Sequence, residues 1–123
     1  MQLNYESANA SCSGFISNLN GGAISFHDSG DSEIINCAMN TPAFDNPVSG
    51  VSAMSTSSTV QDVSTGSGVI DHAHFLQADD SIYSQMTCAT SGAEFNFSTL
   101  EFDEGETLVI DSLSVGWTAT TLT

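Results

Sequence analysis

His72 and His74 stand two residues apart in the β-prone run Gly68 to Leu76, so a strand there would project both imidazoles from one face. Two imidazoles on one face are a partial ligand set for a metal ion. No spacing in the chain indicates a third ligand, and His27 beside Asp28 gives a thinner signal still. Three carboxylate clusters fall at expected turns: Asp28, Asp31 and Glu33 in HDSGDSE, Asp79 and Asp80 in QADDS, and Asp103, Glu104 and Glu106 in FDEGE. Clustered carboxylate oxygens on a loop are the ligands that Ca²⁺ takes. None of the clusters matches the D-x-[DN]-x-[DN]-G loop, and acidic turns facing water are the plainer reading, so no cofactor is expected.

Catalytic patterns are absent from the sequence. Serine is abundant without a G-x-S-x-G elbow, and the single Trp and two Tyr are too few to line the cleft that a carboxylate pair acting on glycosides requires. The chain is therefore expected not to be an enzyme. Trp117 and Tyr83 are the natural anchors for a protein or sugar contact, with a core or rim position as the competing role for each.

Charge narrows the partners further. There is no Lys and no Arg against fifteen Asp plus Glu, a formal net charge of −15. Affinity for nucleic acid comes mainly from cationic side chains releasing counterions from phosphate, and an anionic membrane surface needs the same cations. Neither partner is expected. With ion pairs reduced to what a His or the amino terminus can offer, the fold must rest on apolar burial and hydrogen bonds. A folded protein of this size exposes about 6,000 Å², which spaces fifteen carboxylates by about 20 Å. That exceeds the Debye length of about 8 Å at physiological salt, so self-repulsion is modest there.

The elements that must position these residues are short. Ala8, Cys12, Phe15, Ile16 and Leu19 recur on one helical face, which predicts a helix over 7–19 with Ser7 as N-cap and Asn20-Gly21-Gly22 as its stop. Beyond it, β-prone runs alternate with turn residues: Ala23 to His27, Glu33 to Met39, Val48 to Met54, Val60 to Val63, Gly68 to Leu76, Ile82 to Ala89, Phe95 to Phe102 and Thr107 to Trp117. The expected fold is mainly β, a β-sandwich or jelly roll of about eight strands with one short N-terminal helix, in a single domain over residues 1–123. Neither face of Gly68 to Leu76 is cleanly apolar, and the phase change between Phe97 and Leu100 predicts a bend near Ser98. Residues 120–123 are expected to be an extended tail able to reach a neighbour. Cys12, Cys37 and Cys88 share no CxxC spacing and are expected as reduced, buried thiols, a single disulfide being the lesser alternative. No basic, apolar leader opens the sequence, so assembly inside a cell is expected.

The order of motifs resembles a group of small virion-associated proteins of tailed phages: a helix ending in NGG, then GGAISFHDSGDSE, NTPAFDNPVSGVSA, GVIDHAHFLQADDSIYSQMTCATSGAEFNF and GETLVIDSLSVGWTA. The resemblance spans most of residues 8–119 and implies a structural place in the particle, as a capsid decoration (cement) protein on the virion surface. On that placement the expected partners are the major capsid protein and further copies of the chain in a homotrimer, with assembly in the host cytoplasm. The resemblance brings no catalytic residue with it. Members of that group carry some Lys or Arg, and the lack of both here is a departure. The rival expectation is a tail or fibre component that binds a host-surface glycan or protein.

Overall fold

The computed structural model describes residues 1–117 and 119–122. They form one helix, α1 (Tyr5–Ser17), and eleven strands: β1 (Ala23–His27), β2 (Glu33–Ala38), β3 (Val51–Ala53), β4 (Val60–Val63), β5 (Gly68–Val69), β6 (His72–Leu76), β7 (Ile82–Ala89), β8 (Phe95–Asn96), β9 (Glu101–Phe102), β10 (Thr107–Ile110) and β11 (Ser114–Gly116). The protein is mainly β, with curled sheets of the β-sandwich type. Among the described residues no helix is long and apolar enough to cross a membrane.

Helix α1 begins earlier than its apolar face suggests. Asn4 is the N-cap, its side-chain oxygen accepting the N–H of Ser7 at 2.9 Å. Ser7 therefore lies in the first turn and is not itself the cap. A cap of this kind contributes about 1 kcal/mol. The helix ends at Ser17, two residues short of expectation, and presents Ala8, Cys12 and Ile16 to the core.

The principal sheet has the order β2-β1-β6-β7-β8, with β7 and β8 parallel and the other pairs antiparallel. Its register sets Ile24 opposite Cys37 and Phe75, and Phe26 opposite Ile35 and Ala73. Side chains alternate along a strand, so these residues share one face. That face is the core, joined by Cys12, Ile16 and Leu19 of the helical segment and by Val60, Leu108 and Ile110 of the β4–β10 ribbon. Two further ribbons, β3–β11 and β5–β9, complete the fold. The opposite face of the principal sheet carries Ser25 and His27 on β1 beside His72 and His74 on β6.

Three of the expected runs are each two strands. Gly68 to Leu76 splits after Val69, because β5 pairs with β9 while β6 joins the principal sheet. Ile70 at the break is 1% exposed, and its N–H bonds to Leu100 whereas that of Asp71 bonds to His27. The change of partner explains why neither face reads as apolar. Phe95 to Phe102 likewise divides into β8 and β9 across the expected bend, which lets both Phe95 and Phe102 be buried. Thr107 to Trp117 divides into β10 and β11. The start of the expected tail is tied down: Ala119 bridges to Leu3, and the N–H of Thr120 bonds to the Leu3 carbonyl at 3.0 Å. Thr123 of that tail lies outside the described residues.

All three cysteines are free, Cys12 and Cys37 buried and Cys88 half-buried. Burial raises each thiol, those of Cys37 and Cys88 to about 12. The thiol of Cys12 donates to the carbonyl of Val115 at 3.7 Å, linking α1 to β11.

Candidate functional site

The polar face of the principal sheet is where side chains capable of chemistry converge. β1 and β6 are paired so that His27 lies directly across from His72, and Ser25 across from His74. All three histidines of the chain therefore meet at one place. Ring centroids are separated by 4.5 Å for His27 and His74, 5.0 Å for His72 and His74, and 5.4 Å for the stacked pair His27 and His72.

The fourth member comes from the β1–β2 turn. Asp28 shapes that turn, its Oδ1 accepting the N–H groups of Gly30 and Ser32 at 3.0 and 2.9 Å. A register irregularity between Phe26 and His27 sets Glu33 opposite His27 and leaves Ile34 without a cross-strand partner. Asp31 takes a left-handed conformation with φ of 65°, which Asp tolerates better than most residues. Its carboxylate folds back onto the sheet, Oδ1 lying 2.9 Å from His72 Nε2 and 3.5 Å from His27 Nδ1. One ligand atom from each of His27, Asp31, His72 and His74 lies within 4.8 Å of every other.

Each imidazole also has a neighbour outside the cluster. His27 Nε2 lies 2.8 Å from the Ser25 hydroxyl, His72 Nδ1 lies 2.9 Å from Asp71 Oδ2, and His74 stands opposite Gln85 in the β6–β7 register. The environments differ in sign. Hydrogen bonds donated to Asp71 first and then to Asp31 hold His72 above the ordinary imidazole value. Burial, with His27 and His72 close by, holds His74 below it. The bond to His72 holds the Asp31 carboxyl below the usual carboxylate value.

The stability consequences run in opposite directions. The contribution of His72 is fully present below the unfolded value near 6.5 and is lost as pH rises through its higher folded value. That of His74 is present above about 6.5 and is lost as pH falls through its lower folded value. An NMR titration of the metal-free protein should show His72 with the higher midpoint and His74 with the lower; coincident or reversed midpoints would contradict this geometry.

Of the sequence candidates, Asp31, His72 and His74 come together and Asp28 and Glu33 do not. Asp28 is engaged in the turn, and Glu33 accepts a hydrogen bond from Asn36 at 2.8 Å. His27 is the member that spacing missed, because only the β1–β6 register brings it to His72. The other two acidic clusters serve their own turns. Asp79 accepts the Ser81 hydroxyl, which is the main cause of its lowered carboxyl, and also the N–H of Ser81 at 3.0 Å, while Glu106 accepts the N–H of Asp103 at 3.1 Å.

Tyr83 and Trp117 lie apart from the cluster's contacts and each packs against Phe15. Their rings lie 4.9 and 5.6 Å from the Phe15 ring, and the Tyr83 hydroxyl accepts a hydrogen bond from Asn18 at 3.3 Å. Both are half-buried, at the rim of the core. Trp117 also lines an open groove of about 450 Å³ between β7 and β11, floored by Phe15, Phe75 and Phe95.

No protein-family model matches the chain, and neither does a curated protein nor a solved structure.

Proposed function

We propose that this protein is a structural component of a tailed-phage particle, a decoration protein that docks on the outside of the capsid shell. The observation that carries the reading is the surface charge: fifteen carboxylates and no Lys or Arg on a β-sandwich scaffold. Such a surface repels nucleic acid and is complementary to basic groups on a shell protein. The order of motifs along the chain supports the same placement. In this reading the chain sits as trimers at local threefold positions of the major capsid protein lattice. Individually weak contacts are then multiplied by the regular array. It performs no catalysis.

Co-sedimentation with empty shells tests this. Binding should saturate at on the order of hundreds of copies per shell and weaken as salt is raised. A few copies per particle, or none, overturns it. The groove beside Trp117 favours a second reading, a tail or fibre component, since an aromatic face beside an open groove is suited to a sugar or protein contact. That reading predicts few copies at one vertex or at the tail tip.

A further inference from the structure

We propose that His27, His72, His74 and Asp31 form a binding site for a divalent transition-metal ion of the zinc class. The inference stands apart from the capsid reading and rests on the cluster alone.

Three features of the cluster point to a cation. The first is the donor set. Three imidazoles and one carboxylate are the borderline nitrogen and oxygen ligands that Zn²⁺ takes in tetrahedral sites, whereas Ca²⁺ requires six or more oxygens. The second is the outer shell. His72 carries Asp71 on Nδ1 and turns Nε2 toward the Asp31 carboxylate; His27 carries Ser25 on Nε2, and its Nδ1 lies 3.2 Å from the Asp31 carbonyl oxygen and 3.5 Å from the carboxylate. A carboxylate or hydroxyl on one ring nitrogen, with the other nitrogen presented inward, is how proteins orient metal-ligating histidines. The third is burial. His74 is 4% exposed and packs beside two further imidazoles. One shared cation placed among the three rings would be held by all of them at once.

The distances allow closure. Bonds of about 2.1 Å to a tetrahedral ion hold the ligand atoms about 3.4 Å apart, and since all four atoms already lie within 4.8 Å of one another, no pair need draw in by more than about 1.4 Å. His72 and His74 are fixed by the β1–β6–β7 ladder. Asp31, with its side chain 64% exposed at the tip of a turn, is the ligand with freedom to move. Metal binding would therefore pin the β1–β2 turn to β6 and rigidify the polar face of the sheet.

The test is calorimetric titration of Zn²⁺ alone into protein stripped with a chelator. One equivalent should bind, the melting temperature should rise with free Zn²⁺, and Co²⁺ should give the visible spectrum of a tetrahedral ion. Asp31→Ala and His72→Gln should each weaken binding at least about tenfold. Asp79→Ala, in the turn joining β6 and β7, should leave it unchanged. Asp31 is exposed but left-handed, so Asp31→Asn, which tolerates that backbone as Asp does and removes the charged ligand, keeps the test decisive if Asp31→Ala or His72→Gln does not fold. No saturable binding overturns the proposal. So does binding of several equivalents that survives Asp31→Ala, which would mark diffuse attraction to the acidic surface, or equal competition by Ca²⁺.

Discussion

Gly22→Ala should destabilise the protein by at least about 3 kcal/mol, the upper range for overpacked sites. Gly22 sits between the helical segment and β1, its N–H bonded to the Leu19 carbonyl at 2.9 Å and its carbonyl accepting the N–H of Met39 at 3.0 Å. A Cβ there would fall well inside contact distance of the Leu76 carbonyl oxygen and 3.0 Å from that of Leu19. Both obstacles are backbone, so no side-chain rotation relieves the clash. Leu76 pairs with Ala23, the residue after Gly22, so the displaced chain would pull β1 from β6 at the centre of the principal sheet. Gly14→Ala makes the contrast: nothing lies within 4 Å of its added methyl, and a helix interior gains about 1 kcal/mol from the change. Urea unfolding of both variants should show midpoints moving in opposite directions. A Gly22→Ala protein within about 1 kcal/mol of wild type would contradict the close approach described above.

Phe26→Ala is expected to cost about 3–5 kcal/mol, as for large aromatic truncations in cores. Phe26 is fully buried, with Phe95 and Phe97 edge-on at 5.3 and 5.6 Å. It lies on the core face of β1, and the residue after it, His27, points to the polar face. The void would therefore open directly beneath the histidine cluster and between β1 and the β8 segment. Denaturant unfolding with an unchanged m-value would assign the loss to the native core; a cost below about 1.5 kcal/mol would mean that the site collapses around the truncation.

Local patterns in the sequence made parts of this fold legible. β1, β4 and β7 occupy the expected residues because each is a β-prone run bounded by turn chemistry on both sides. Of the divided runs only Phe95 to Phe102 showed its break, through the phase change near Ser98; the split of Gly68 to Leu76 was not legible, because Val69, Ile70 and Asp71 read as one continuous strand and nothing local records that the partner changes from β9 to β1. The N-cap was misplaced because Ser7 and Asn4 are both good caps, and the apolar face begins only at Ala8. The candidate site was half visible. His72 and His74 announce a shared face by their spacing, and Asp31 stood out in an acidic turn. His27 belongs with them only through the pairing of β1 with β6, a long-range choice made by the core face of both strands. One signal remained unused: the chain holds three histidines in all, and His27 lies at the end of a strand with the polar phase of Ser25.

The state of the thiols has a practical consequence. Alkylating reagents attack the thiolate, which Cys37 and Cys88 scarcely form at neutral pH, and Cys12 and Cys37 are covered by the core in any case. Without lysine, the chain also offers no amine side chain to compete for the reagent. The rate of capture at Cys12 and Cys37, read apart from that of half-buried Cys88, thus becomes an intrinsic clock for transient opening, with Cys12 timing departure of the helix and Cys37 timing rupture of the sheet.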